Sequence, residues 1–275
     1  MKTILVKVGV ALLGCAFCIG SALAQTPRDQ AWQVLSEAAA SSKDDVRASN
    51  ARALGMVNKS AKAVALLEKA LEDRDDDVRS SAATSLGLLK AKSSIPKLVE
   101  TAKKETDGNV VLAVAKALTE MDDPMGYAIY YAIVTGERKS GQGLVASQSK
   151  MLNDMLKNPK SMANMAFQQG MGFVPFGGLA MGAFQAVRSS GKNEVLVKAA
   201  AVRTLAKDPD PKSTKALVTA TGDKEWVVRA AAYDALSRRG DASVVPDIMN
   251  GLSDKEEVVK LTAAAAIANL SEGRK

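Results

Sequence analysis

Histidine is absent from all 275 residues, and this removes the Ser-His-Asp relay, the imidazole base and every His-containing zinc site at once. Cysteine is nearly absent too. Its only two copies, Cys15 and Cys18, lie within the first 24 residues, so the rest of the chain has neither a disulfide nor a thiolate site and must be stabilised by apolar packing. Aromatic residues make up 4% of the chain while alanine is abundant, which suits helices packed closely together. The glycine-rich stretches follow no strand and lack the lysine and hydroxyl ending of a phosphate loop, so nucleotide binding is not supported. The densest acidic run, Asp73 to Asp77, lacks the glycine and distal glutamate of a calcium loop. The remaining acids cluster in turns before helices, where capping accounts for them. No catalytic residue, metal ligand or cofactor site is assigned, and the chain is expected not to be an enzyme.

The opening segment is where the long apolar run falls. Lys2 and Lys7 give a basic end, Val8 to Ile19 an apolar core, and Ala22-Leu23-Ala24 a small-x-small cleavage site, so residues 1–24 read as an export signal removed near Ala24. A retained anchor would need about 20 apolar residues, more than this run offers. Leu12-Leu13-Gly14-Cys15 also resembles a lipoprotein box, which would make Cys15 a lipidated N-terminus. Cleavage takes two lysines and no acid from the formal net charge of +7, leaving +5. That mild excess favours anionic surfaces weakly and is far from the footprint of a nucleic-acid binder, so no nucleic-acid partner is expected.

What the chain has instead is a repeat. Val46, Val78 and Val110 are spaced 32 apart, and Val197, Val228 and Val259 are spaced 31 apart. Eight residues after each of these reference positions comes Leu54, Leu86, Leu118, Leu205, Leu236 or Ile267, and twenty after the first five comes Leu66, Leu98, Tyr130, Leu217 or Ile248. Self-similarity at this period means stacked helix pairs. In one unit, Ser94 is expected to cap a first helix with Pro96 just inside its start, and Val110, Val111, Val114, Ala117 and Leu118 fall at helical spacing through the second. Asp75, Asp107, Glu194, Glu225 and Glu256 lie three before the reference, where they offset the positive end of each second helix. Arg47, Arg79, Lys198, Arg229 and Lys260 follow it directly, so stacking predicts an ionic ladder between these bases and the acids of neighbouring units; a basic stripe for an anionic ligand is the functional alternative.

The helical map places pairs at Asp29–Ala40 with Asp45–Leu54, Ala61–Leu71 with Asp77–Leu89, and Ser94–Lys104 with Asn109–Met121. A helix follows from Met125 to Val134, with Tyr127, Tyr130 and Tyr131 supplying bulk. After the break, Asn193–Ala206, Thr214–Thr221, Glu225–Arg239, Val245–Leu252 and Glu256–Leu270 complete the array, with Asp208 to Pro211 read as a turn. The chain thus divides into 1–24, repeats over 25–123, degenerate repeats or an insert over 124–192, and repeats over 193–275. Between Ser161 and Val187 there is no charged residue, and Met162, Met165, Phe167, Met171, Phe173, Phe176, Met181 and Phe184 surround a glycine-rich break. Three readings stand for this segment: degenerate helices packed into the array, an adaptable apolar patch for a protein or lipid partner, and a membrane hairpin interrupted by Pro175 and three glutamines.

Ile95-Pro-Lys-Leu-Val with Asp76-Asp-Val-Arg-Ser-Ser-Ala-Ala-Thr-Ser-Leu-Gly, and Val244-Val-Pro-Asp-Ile-Met with Asp254-Lys-Glu-Glu-Val-Val-Lys, resemble HEAT repeats, particularly the short type of phycobilin-lyase-like proteins. The resemblance covers roughly 25–123 and 193–272. It implies an all-α, right-handed α-solenoid with an irregular Met- and Gly-rich helical insert. Such repeats serve mostly as binding scaffolds, so the expected function is a monomeric exported scaffold for a protein partner at the bacterial envelope. Two alternatives follow: an adaptor making peripheral contact with envelope lipid through 161–187, and a bilin-lyase-like enzyme, for which no residue can be carried over.

Overall fold

The computed structural model describes residues 25–135 and 193–272, and every element among them is helical. They are α1 (Pro27–Ala39), α2 (Asp44–Leu54), α3 (Ala61–Ala70), α4 (Asp76–Leu88), α5 (Ile95–Lys104), α6 (Gly108–Glu120) and α7 (Pro124–Thr135). After the break come α8 (Asn193–Leu205), α9 (Pro211–Ala220), α10 (Trp226–Arg239), a 3-10 helix (Ala242–Ser253) and α11 (Glu257–Ser271). Local chemistry sets many of the starts. Thr26 caps α1 in a reciprocal capping box with Asp29, Ser60 accepts from the Ala63 amide, and Asp75 and Asp107 accept from the first turns of α4 and α6. Lys90, Asp122 and Gly240, each twelve after the reference, turn left-handed and stop the second helices.

Three local expectations are corrected. Ser94 does not cap α5, because it ends a short 3-10 turn and its hydroxyl donates to Glu68 Oε1 at 2.6 Å. The helix expected from Thr214 begins at Pro211: Asp210 caps it and the proline sits where its missing N–H costs nothing. The segment expected to be α-helical over 245–252 is a 3-10 helix, since Pro246 inside it cannot complete an i to i−4 ladder. Its buried Val245, Ile248 and Gly251 recur every third residue, the 3-10 period.

The elements pack as the pairs α1–α2, α3–α4, α5–α6, α9–α10 and the 3-10 helix with α11. Second helices stack on one another, α2 on α4 on α6 and α8 on α10 on α11. The references Val78, Val110, Val228 and Val259 are fully buried and Val46 partly so, together with Leu54, Leu86, Leu118, Leu236 and Ile267. Two positions depart. Val197 is 69% exposed. Tyr127 is 68% exposed rather than core, and only Tyr130 of that helix's described tyrosines packs inward.

The two blocks of repeats also touch. α1 lies chiefly against α11, with further contact from α11 to α2 and from the 3-10 helix to α1. Arg28 meets the Glu272 carboxylate at 3.0 Å, and the Asn58 amide donates to Asn269 Oδ1 at 2.9 Å. Among the described residues, the stacks α8–α10–α11 and α2–α4–α6 therefore meet at a joint formed chiefly by α1 on α11. Alanine makes this possible. Ala263 to Ala266 and Ala268 of α11 are all fully buried, so that helix can be approached from several sides.

Candidate interaction face

Three turn edges carry a bidentate ion pair. Arg47 binds Asp73 at 2.7 and 2.8 Å, Arg79 binds Glu105 at 2.7 and 3.1 Å, and Arg229 binds Asp254 at 2.7 and 2.8 Å. Lys198 pairs with Asp223 in the same relation. Each acid also accepts a backbone N–H two residues on, from Asp75, Asp107, Glu225 and Glu256 at 2.9–3.0 Å. Each arginine sends its second Nη to a carbonyl six residues back, Ser41, Asp73 or Asp223. One guanidinium thus ties its own turn to the next.

The partners are not the acids expected from sequence. They lie five before the following reference, whereas Asp75 and Asp107, three before it, are folded onto their own helix N–H groups as caps. Glu225 and Glu256 stand at the cap position without a capping side-chain bond, and the side chain of Glu194 lies outside the described residues. Lys260 pairs with Glu257 of its own helix at 2.7 Å. The bonds from Arg47 hold Asp73 below the ordinary carboxylate range. Burial alone would raise Asp223, Asp254 and Glu105, but their basic partners and backbone amides outweigh it and all three are lowered. Held this way, Arg47, Arg79, Lys198 and Arg229 act as staples between units, while Arg74, Lys224 and Lys255 in the same turns are exposed.

A second face was not singled out from sequence. The residue six after each reference lies about 200° from the residue four after it, at ~100° per residue, so the two lie on opposite faces of the second helix. In stacking order these residues are Arg203, Asp234, Ala265, Arg52, Thr84 and Lys116. Asp234 is buried and receives Arg238 Nε at 3.0 and 3.1 Å, yet burial wins and raises its pKa. Burial also raises Glu120, which sits 3.9 Å from Lys116. The same cause lowers Arg52 and Arg203, and Arg203 Nε is buried without a hydrogen-bond partner. Desolvation thus works against these charges on both signs. The signal was available as a polar column in five of six units, but it emerges only once the units are aligned. Arg239 was also missed: it reaches Leu205 O at 2.9 Å and Thr214 Oγ1 at 3.0 Å, pinning the end of α10 to α8 and α9.

The apolar candidates Met162, Met165, Phe167, Met171, Phe173, Phe176, Met181 and Phe184 lie outside the described residues. Among those described, no group of three or more His, Cys, Asp or Glu could hold a metal ion, and no helix is long and apolar enough to cross a membrane. No curated protein matches this chain. Among solved structures, the crystal structure of an engineered protein from the Northeast Structural Genomics Consortium is 16% identical, covering 88% of this chain and 97% of its own, with a TM-score of 0.27, a likeness too weak to carry anything further. The family model for HEAT repeats matches residues 17–87, 65–129 and 184–268. With more than half of its length matched in stacked helix pairs of the same kind, the chain belongs to the HEAT repeat family.

Proposed function

We propose that this chain is an exported, non-catalytic scaffold that binds a protein partner at the bacterial envelope. The family supports the coarse part, since HEAT repeats suggest a scaffold for protein interactions. The observation that carries the reading is the pair of stacks of second helices, α2 on α4 on α6 and α8 on α10 on α11, a repeated helical surface on which Arg203 Nε is buried without a hydrogen-bond partner. The staples along the turn edge are internal. Export rests on the sequence of Met1 to Ala24. The uncharged stretch 161–187 adds a second contact, with Phe173 and Phe176 as anchors.

The test is capture from an envelope extract on immobilised chain beginning at Gln25, beside the Phe173→Ser/Phe176→Ser variant. The wild type retains a partner that an unrelated helical repeat does not, and the variant loses it with its far-UV circular dichroism unchanged. Absence of specific retention by the wild type overturns the reading. Unfolding of the variant instead places those phenylalanines in the core. Mass spectrometry of the exported protein separates a terminus at Gln25 from an acylated Cys15.

A further inference from the structure

The first unit departs from the others at two places that meet. Ten, seven and six before its reference stand Ser36, Ala39 and Ala40, where the second unit has Glu68, Leu71 and Glu72 and the third has Glu100, Lys103 and Lys104. These smaller side chains at the end of α1 form one wall of a cavity of about 320 Å³, with Leu66 and Ala70 of α3 opposite and Leu54 of α2 beneath. The next groove, between α3 and α5, touches α4 only at Arg79 and reaches none of its apolar residues. The other departure is Asn50, four after the reference, where the remaining units carry Ala82, Val114, Ala201, Ala232 and Ala263. It lines the same cavity and is 1% exposed. Its Nδ2 donates to the Leu35 carbonyl at 3.0 Å, which ties α2 to α1, but its Oδ1 is buried and receives no hydrogen bond. A buried amide oxygen without a donor is unfavourable, and no staple or cap of the fold accounts for it.

Chemistry narrows the occupant. The walls favour an apolar body, and Asn50 favours a single donor. A cationic donor is unsuited, because the carboxylates at the cavity, Asp73 and Glu72, are bound to Arg47 and Lys97, and a buried cation without a counter-charge is unfavourable. Serine and threonine are too small to fill the space. Indole combines an apolar body with one N–H that donates and accepts nothing, and a Trp side chain buries roughly 150–250 Å² and is a common anchor of protein interfaces. We propose that this cavity receives a tryptophan side chain of the protein partner, its indole N–H donating to Asn50 Oδ1 and its ring held between the end of α1 and Leu66 and Ala70 of α3. Entry is past Ala40, Lys69 and Glu72, all exposed at the mouth. The inference rests on the scaffold reading above and names the group that the partner inserts.

The probes are N-acetyltryptophanamide and its N-methylindole counterpart, which keeps the ring and loses the N–H, each titrated into isotope-labelled chain from Gln25 to Lys275 and read by amide chemical shifts. The tryptophan probe moves the Asn50 side-chain amide and the backbone amides of Ala39 and Ala70 saturably, and the methylated probe binds at least about fivefold more weakly. Asn50→Ala, which brings in the residue found there in four other units, binds the two probes alike. Ala39→Leu, which brings in the leucine of the second unit, fills the cavity and abolishes binding of both with circular dichroism unchanged. No saturable shift at those residues, equal affinity of the wild type for the two probes, or unchanged binding to Ala39→Leu overturns the proposal. If Ala39→Leu still retains the envelope partner, the proposal falls and the scaffold reading stands. If the wild type binds the tryptophan probe but retains no partner, the scaffold reading falls and the partner's side chain with it.

Discussion

Truncating Arg229 to alanine removes a bidentate pair to Asp254 at 2.7 and 2.8 Å and two further bonds, to the carbonyls of Asp223 and Lys224 at 3.0 and 3.1 Å. Both partners are nearly enclosed, with side chains 9% and 11% exposed. Removing one member of such a pair strands the other charge, which costs about 3–5 kcal/mol. Asp254 keeps the Glu256 amide and some water, so the lower end, about 3 kcal/mol, applies. In a domain of this size that is a fall in Tm of about 6–12 °C. Lys198→Ala breaks the equivalent contact of a side chain 56% exposed, and about 0.2–1 kcal/mol is expected. Acid separates the mechanisms further. Asp254 is lowered in the folded state, so its contribution is present above the unfolded value near 3.9 and is lost as pH falls through the folded value. Urea unfolding followed by circular dichroism at pH 7 and near pH 3 should therefore show a large gap between wild type and Arg229→Ala that narrows in acid. A loss no greater than that of Lys198→Ala, or a gap independent of pH, would refute the staple.

The joint between α1 and α11 predicts that the chain can be rewired: joining Glu272 to Gln25 with a short Gly-Ser linker and opening it between 135 and 193, with 136–192 omitted, should leave a helical protein that unfolds in one transition. Two separate transitions would show that the halves do not stack in solution. At Gly87 an added Cβ would lie 2.8 Å from the Ala117 Cα, so Gly87→Ala must push α4 from α6 and should cost about 1–2 kcal/mol after the gain in helix propensity. Gly240→Ala meets nothing within 4 Å and should cost about 1 kcal/mol through its φ of +72° alone, so a stabilising Gly87→Ala in thermal melts would deny the close approach.

Helix positions were legible because caps and apolar spacing are properties of a single unit: Val78 with Leu86, or Val228 with Leu236, declare their face without reference to anything distant. The ladder was legible only in part. Four of the second helices, α4, α6, α10 and α11, are each preceded by two acids, and turn conformation, which the apolar period does not report, decides at α4 which one bends to its own helix and which reaches the neighbour. Comparing pairs of units resolves the choice. A base after one reference is matched by an acid five before the next at Arg47 and Asp73, Arg79 and Glu105, Lys198 and Asp223, and Arg229 and Asp254. The same comparison fails where the structure places an end or a joint. Val111 replaces the base after the third reference, Lys192 replaces the acid before α8, and Ser41 replaces the acid before α2. The contact between 27–39 and 257–271 has no sequence neighbour, so no period announces it, but the missing staple marks it. That joint is held instead by Arg28, 48% exposed, on Glu272, a bridge of a kind that contributes about 0.2–1 kcal/mol. What closes it is therefore chiefly apolar packing of α1 against α11, helices that bury Trp32, Leu35, Leu261 and Ile267, and not charge.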